Sequence, residues 1–240
     1  MIHSLPFSVP SLDDISAMAA TVEGWLSDAQ GRALHAAAAA TRRRGAIVEI
    51  GSWKGRSTLW LAHGARLAGH RVHAIDPHQQ SREDPSARTL ETFLANLARA
   101  GVADVVEPVV LRSDEALAVA GAVELLFIDG DHSPAGARRD VDLWLPRVMV
   151  GGVAMFHDVA TSGYTGPRRM FQQRVCWSSS FHRIRRVGSM TIAERTARRS
   201  AWQAVRGTIV GILLYWYDVE GVVKRALRAM RRPLGIGRRR

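Results

Sequence analysis

Apolar and polar positions in the first part of the chain predict two helices. Residues 12–43 are rich in alanine and contain no interior proline. The apolar residues that recur at helical spacing are Ile15, Met18, Val22, Trp25 and Leu26. We expect the two helices to be separated by a break near Ser27–Gly31, and we treat residues 1–45 as an N-terminal helical cap.

From Ala46 onward, short β-branched runs alternate with longer helical stretches, which is typical of βαβ units and a mostly parallel sheet. The predicted strands are Ile47–Ile50, Val72–Ile75, Val105–Val110, Leu125–Ile128 and Gly152–Phe156. Helices are predicted at about 55–68, 86–100, 114–120 and 135–147, with a short one at Arg168–Cys176. Two further strands, Phe181–Val187 and Met190–Ala193, form a predicted hairpin. Residues 46–193 are therefore expected to form a doubly wound α/β domain that ends in an antiparallel hairpin.

The last part of the chain, residues 194–240, predicts a basic amphipathic helical tail. Its apolar residues are spaced by three or four: Trp202, Val205, Ile209, Ile212, Trp216, Val219, Val223, Leu227 and Met230. Residues 195–240 contain 12 basic and 2 acidic residues, so nearly all of the net charge of +11 lies there. This composition is typical of a helix on an anionic membrane surface. Packing on the domain or on a second subunit of a homo-oligomer, and an RNA-binding arm, are the alternatives.

Three further observations bear on where the protein works. Cys176 is the single cysteine, so the fold needs no disulfide. The N-terminus has neither the basic nor the apolar region of a signal peptide. The longest apolar run, Gly207–Tyr217, is eleven residues, which is short of the roughly 20 needed to span a bilayer. We expect a cytoplasmic protein that lies at the inner face of the membrane if the tail binds lipid.

A glycine turn after the first predicted strand indicates a nucleotide-type cofactor site. Gly51 and Gly55 bracket the turn, where a Cβ would collide with a ligand lying across it. Asp76 ends the second strand, where a carboxylate can accept both hydroxyls of a ribose. Nicotinamide enzymes and methyltransferases share this pair of features. Glu49, placed to meet an ammonium group, and Ser113–Asp114, placed to hold an adenine edge, favour the methyltransferases.

Polar side chains also follow the fourth and fifth predicted strands. Asp129 ends the fourth strand, and His157 and Asp158 end the fifth. Because neighbouring parallel strands end at the same edge of the sheet, we expect these three side chains to meet there. Three such ligands predict a site for a divalent cation, either Mg²⁺ or, because of the histidine, a softer ion. A site without a cation is the alternative.

The phrases EIGSWKGRST, FIDGDHS and GGVAMFHD resemble a bacterial branch of the class I S-adenosylmethionine-dependent methyltransferases. That branch includes small-molecule and macrolide-sugar O-methyltransferases and cephalosporin-hydroxylase-like proteins. The resemblance covers residues 46–158 and implies S-adenosylmethionine as the cofactor. The cofactor contacts that it implies are Glu49, Gly51, Ser52, Gly55, Ser57, Asp76, Ser113, Asp114 and Asp129.

The same resemblance implies a catalytic histidine at position 132, acting next to Asp129. An alcohol is too weak an acid to ionise at neutral pH, so methyl transfer to oxygen requires a nearby base, and a histidine is well suited. We predict O-methylation of a hydroxyl on a sugar, a glycolipid or another small molecule. A nucleic-acid methyltransferase that uses the arginines of the tail and a nonenzymatic, membrane-associated cofactor-binding protein are the alternatives.

Overall fold

The computed structural model describes residues 10–79, 88–161, 163–198 and 200–214. Its helices are α1 (Leu12–Ala20), α2 (Asp28–Ala39), α3 (Arg56–Leu67), α4 (Thr89–Arg99), α5 (Pro134–Trp144), α6 (Thr165–Phe171) and α7 (201–214). Its strands are β1 (Ala46–Ile50), β2 (Val72–Ile75), β3 (Val106–Val109), β4 (Val123–Ile128), β5 (Val148–Phe156), β6 (Phe181–Val187) and β7 (Met190–Arg195). A 3₁₀ turn, Leu145–Arg147, follows α5, and a π-helical turn, Gln172–Cys176, follows α6.

The strands form one seven-stranded sheet in the order β3-β2-β1-β4-β5-β7-β6. The first five strands pair in parallel, and β7 pairs antiparallel with both β5 and β6. The predicted α/β fold with a terminal antiparallel hairpin is therefore confirmed. The strand β5 begins four residues earlier than its predicted start, at Val148.

The predicted helix at 114–120 is wrong, because these residues form consecutive turns. The amide of Glu115 donates to the carbonyl of Arg112, and that of Val119 donates to the carbonyl of Ala116. The carbonyls of Leu117 and Ala120 instead accept from the guanidinium of Arg147, at 3.0 and 2.6 Å. The carbonyl of Ser113, which would accept the first hydrogen bond of a helix over 114–120, accepts from the indole of Trp144 at 2.9 Å.

Helices cover both faces of the sheet because successive strand residues point to opposite sides. On one face, α1, α2 and α3 pack against Ile47, Leu125, Phe127 and Met155. On the other face lie α5, α6 and α7, over the alternate residues of the same strands. Both N-terminal helices begin with a capping box, and Ser27, which lies at the predicted break, is the cap of α2. The N-terminal helices therefore share a hydrophobic core with the sheet.

The C-terminal helix α7 packs on the domain through one face. Gly207, Gly211 and Leu214 are buried on that face, and the side-chain amide of Gln172 donates to the carbonyl of Gly211 at 2.9 Å. The predicted apolar stripe beyond this helix, from Trp216 to Met230, lies outside the described residues. Within the described ranges, no helix combines the length and apolar character needed to cross a bilayer.

Candidate active site

The glycine turn between β1 and α3 brings the ends of two strands into close contact. Gly51 has a φ of 88°, and a Cβ there would lie 2.2 Å from the carbonyl oxygen of Asp129. Gly55 has a φ of 92°, and its Cβ would meet the ring of Phe93 at 3.0 Å. The predicted reason for these glycines was clearance for a ligand. In the described structure, positions 51 and 55 already require glycine, because nearby protein atoms leave little room for a Cβ and the backbone is left-handed.

The carboxyl group of Glu49 lies beneath this turn and is completely buried. Its two oxygens accept hydrogen bonds from the hydroxyls of Ser57 at 2.5 Å and Thr58 at 2.6 Å. Burial disfavours the charged form more than these two hydroxyls favour it, and the nearby Asp129 and Asp76 add to the effect, so the pKa of Glu49 rises to about 8. Glu49 and Ser57 thus join β1 to the first turn of α3, and their predicted contacts with the cofactor stay predictions.

The carboxylate of Asp76 accepts two backbone hydrogen bonds at the end of β2. The amide of Trp53 donates to one oxygen at 2.8 Å, and the amide of His78 donates to the other at 2.7 Å. Both donors have left-handed backbone conformations, with φ of 43° and 49°. The turn and the segment after β2 therefore fix this carboxylate, and its remaining lone pairs suit the hydroxyls of a ribose. Ser52, in the same turn, is buried, and its hydroxyl has no hydrogen-bond partner among the described residues.

The two residues predicted to hold an adenine occupy different environments. Ser113 is buried, and its hydroxyl donates to the carboxylate of Asp140. Asp114 lies closer to solvent and accepts two hydrogen bonds from Arg112, both at 3.1 Å. Their contact with a cofactor stays a prediction. Asp140 was missed by sequence reasoning because its position in a helix resembles that of a solvent-facing acid, whereas burial raises its pKa above the ordinary value.

The segment Val22–Trp25, between α1 and α2, lies against the glycine turn; we call it the strap. The indole of Trp25 stacks on that of Trp53, with ring centroids 5.1 Å apart. Glu23 forms an ion pair of 2.8 Å with Lys54, and the carbonyl of Gly24 accepts from the guanidinium of Arg56 at 2.8 Å. Sequence reasoning placed Trp25 on a helix and had no signal for these contacts.

Two histidines and two aspartates meet at the ends of β4 and β5; we call them the His–Asp cluster. The Nε2 atom of His132 lies 3.4 Å from Asp129 Oδ1 and 3.2 Å from Asp158 Oδ2. The Nδ1 atom of His157 lies 3.2 Å and 3.3 Å from the same two oxygens. The structure therefore brings together the catalytic pair and the cation ligands that were predicted from sequence.

The groups of the His–Asp cluster perturb one another's pKa values. Burial disfavours the charged form of both histidines, but their contacts with the two carboxylates outweigh it. The pKa of His132 rises to about 9 and that of His157 to about 10. Burial likewise opposes ionisation of Asp158, yet its close contacts with both histidines hold its pKa well below the ordinary range. Without a cation, the cluster thus holds protonated imidazoles between carboxylates.

The geometry of the His–Asp cluster fits a divalent cation. The Nε2 atom of His132 and the Nδ1 atom of His157 are buried, and neither has a well-oriented hydrogen bond within the described part of the chain. Ligand atoms of Asp129, His132 and Asp158 all lie within 4.8 Å of one another, so this set contains His132 in place of the predicted ligand His157. Imidazole nitrogens together with carboxylate oxygens favour Mn²⁺, Co²⁺ or Zn²⁺ over Mg²⁺.

Residues that follow β5 hold the His–Asp cluster in place. Tyr164 stacks on the imidazole of His132, with centroids 4.4 Å apart. Arg168 is almost fully buried, and it donates to the carbonyls of Val159 at 2.9 Å and Thr161 at 2.5 Å. These bonds fix the loop that begins at Asp158. Neither role could be found from sequence, because a buried arginine and a stacked tyrosine have no distinctive spacing.

Comparison with known proteins identifies the part of the chain that carries this site. Residues 48–159 match the family of methyltransferase domains. A catechol O-methyltransferase of Mycobacterium tuberculosis (strain ATCC 25618 / H37Rv) is 38% identical over 108 residues, which are 44% of this chain and 44% of that protein. The chain therefore matches less than half the length of this curated relative.

Two solved structures extend the likeness to most of the fold. The cofactor-bound Rv0187 from MTB is 26% identical, with a TM-score of 0.59 over 80% of this chain and 92% of that one. The O-methyltransferase TomG from Streptomyces achromogenes, which is involved in tomaymycin synthesis and was solved with S-adenosylmethionine, is also 26% identical. Its TM-score is 0.55, over 72% of this chain and 82% of that one.

Proposed function

Since residues 48–159 match the family of methyltransferase domains, we propose that this protein transfers a methyl group from S-adenosylmethionine to a hydroxyl oxygen of a small molecule. The observation that carries the proposal is the His–Asp cluster at the ends of β4 and β5, on the same sheet edge as the glycine turn after β1. In open α/β sheets this edge is where ligands bind. A cofactor on the turn and an acceptor at the cluster would then be neighbours.

Methyl transfer to oxygen is an in-line displacement, in which the sulfonium of the cofactor supplies the leaving group. The new bond joins the acceptor oxygen to the methyl carbon, the carbon–sulfur bond breaks, and the hydroxyl proton must leave. We propose that His132 accepts this proton at Nε2, the atom that points into the His–Asp cluster. Asp129 and Asp158 orient the imidazole, and Tyr164 packs on its face.

A protonated His132 cannot act as a base, and the pKa of about 9 would keep it protonated at neutral pH. A divalent cation held by Asp129, His157 and Asp158, with His132 left uncoordinated, would supply positive charge that offsets the carboxylates and favours an ionised acceptor. This is the reason to propose divalent-cation assistance together with a histidine base. In this mechanism Asp76, next to the glycine turn, binds the cofactor, and His132, in the His–Asp cluster, accepts the proton.

We propose a sugar, a glycolipid or a similar small molecule as the acceptor. The names of the relatives add phenolic hydroxyls to the candidates, because one of them is a catechol O-methyltransferase. A phenol ionises more readily than a sugar hydroxyl, so its methylation depends less on a base. We therefore expect removal of His132 to lower turnover more with a sugar acceptor than with a phenol.

The test is a radiolabelled methyl-transfer assay with catechols and with simple sugars as acceptors. We expect His132→Ala to lower kcat by about 10²-fold to 10⁴-fold with an alcohol acceptor, without changing the affinity for S-adenosylhomocysteine. The control is His182→Ala, which alters a histidine of β6 outside the His–Asp cluster. Metal content, measured on the same samples, separates loss of a base from loss of a ligand. Full turnover by His132→Ala would contradict the assignment of the base.

A further inference from the structure

Helix α7 has two apolar faces, and only one of them is covered within the described part of the chain. Its buried face, at Gly207, Gly211 and Leu214, packs on the domain. The opposite side exposes large apolar side chains by 49% to 72%: Trp202, Val205, Ile209, Ile212 and Leu213. At about 100° per residue, these five side chains fall within an arc of about 100°. The helix is therefore held to the domain on one side and presents a continuous apolar stripe on the other.

The charge around this stripe has one sign. Arg206 is exposed on α7 beside the stripe, and Arg198 is exposed just before the helix. Residues 195–214 contain no acidic residue. The 26 residues that follow in the sequence, 215–240, add eight basic and two acidic residues. An apolar stripe flanked by cations complements a surface that is apolar inside and anionic outside.

We propose that the exposed stripe of α7 docks the protein onto an anionic lipid bilayer. The side chains of the stripe enter the boundary between headgroups and acyl chains, and the arginines contact lipid phosphates. Because the opposite face of α7 is packed on the domain, docking holds the methyltransferase domain at the membrane surface. The inference goes beyond the proposed function, since it concerns where the domain is held and not what it catalyses.

The test is flotation of the full-length protein with vesicles of phosphatidylcholine alone and of equimolar phosphatidylcholine and phosphatidylglycerol. We expect binding to the anionic vesicles only, weakened by salt. The double variant Ile209→Ser/Ile212→Ser should lower the partition coefficient by at least about tenfold, because it removes apolar surface that would enter the bilayer. The matched control is Leu67→Ser/Leu94→Ser, which alters two similarly exposed leucines on α3 and α4 and should bind like the unmodified protein.

Labelling of a thiol placed in the stripe reports what covers it. Cys176 is buried, so Ile209→Cys introduces one accessible thiol among the described residues. We expect a maleimide to modify it in solution and anionic vesicles to protect it, whereas Leu67→Cys should react under both conditions.

Three results would overturn the proposal. Equal vesicle binding by Ile209→Ser/Ile212→Ser would show that charge alone binds the lipid. Protection of Ile209→Cys in solution would show that the stripe is already covered, by residues 215–240 if the protein is monomeric and by a second copy if light scattering finds a dimer. Binding to RNA with none to anionic vesicles would assign the basic region to a nucleic acid instead.

Discussion

Replacing the buried acid Glu49 with glutamine should change how the stability of the protein depends on pH. The carboxyl group is completely buried and has two hydroxyl partners but no cationic one among the described residues. Its pKa is raised to about 8 from an ordinary value of 4.5. This difference corresponds to about 5 kcal/mol between the two protonation states.

The direction of this pH dependence follows from whether the folded or the unfolded chain keeps the proton of Glu49. Between an unfolded pKa of about 4.5 and a folded pKa of about 8, the unfolded chain loses the proton while the folded chain keeps it. The stability that comes from protonated Glu49 is therefore fully present below the unfolded pKa and is lost as pH rises through the folded pKa. Glu49→Gln has no proton to lose, so its stability relative to the unmodified protein should rise by about 4 kcal/mol between about pH 5 and about pH 9.

The measurement is urea unfolding of the cofactor-free protein across this range, in the presence of a chelator so that no cation binds near Asp129. Subtracting the curve of the unmodified protein cancels the contributions of the other titrating groups. Glu91→Gln, which alters an exposed glutamate of α4, is the control and should give a flat difference. A difference for Glu49→Gln that stays within about 1 kcal/mol across the range would show that this carboxyl ionises normally, and the reasoning from burial would be wrong.

Three further predictions test the site. Metal-free protein, verified by elemental analysis, should lose turnover and regain it better with Mn²⁺ or Co²⁺ than with Mg²⁺; unchanged turnover without metal would remove the cation from the mechanism. Trp25→Ala should weaken the binding of S-adenosylhomocysteine by about threefold to tenfold with little change in melting temperature, since Trp25 is 71% exposed. Trp202→Ala is the matched control. If calorimetry finds equal affinities for Trp25→Ala and the unmodified protein, the strap does not support cofactor binding. Gly51→Ala should destabilise the fold by about 3 kcal/mol or more, because its Cβ would overlap the carbonyl of Asp129, and urea unfolding measures this loss.

The strands and the position of the His–Asp cluster could be predicted because their signals are local. A buried run such as Leu125–Ile128 indicates a strand by itself, and parallel strands bring Asp129 and Asp158 to one edge without further information. The predicted helix at 114–120 is wrong in a segment whose carbonyl groups accept from Trp144 and Arg147, two residues outside it. Local propensity cannot anticipate hydrogen bonds from side chains of another element.

Roles that depend on residues far away in the sequence could not be predicted, for the same reason. The glycine at position 51 was recognised, but its neighbour proved to be the carbonyl of Asp129, 78 positions further along the chain. Ser113 was singled out for a ligand, and its hydroxyl donates to Asp140. In both cases the residue type was informative, but the sequence did not identify the group that the residue contacts. A sequence pattern indicates the chemistry of a position, and the fold determines which other group lies next to it.

The strap connects the N-terminal helices to the predicted cofactor site. Its three contacts reach Trp53, Lys54 and Arg56, which are all residues of the glycine turn or the start of α3. The amide of Trp53 in turn donates to Asp76, the carboxylate predicted to hold the ribose. Trp53 has a φ of 43°, a backbone conformation that is strained for a bulky residue. The stack with Trp25 supports that conformation from outside, so removal of the stack should affect cofactor binding before it affects the fold.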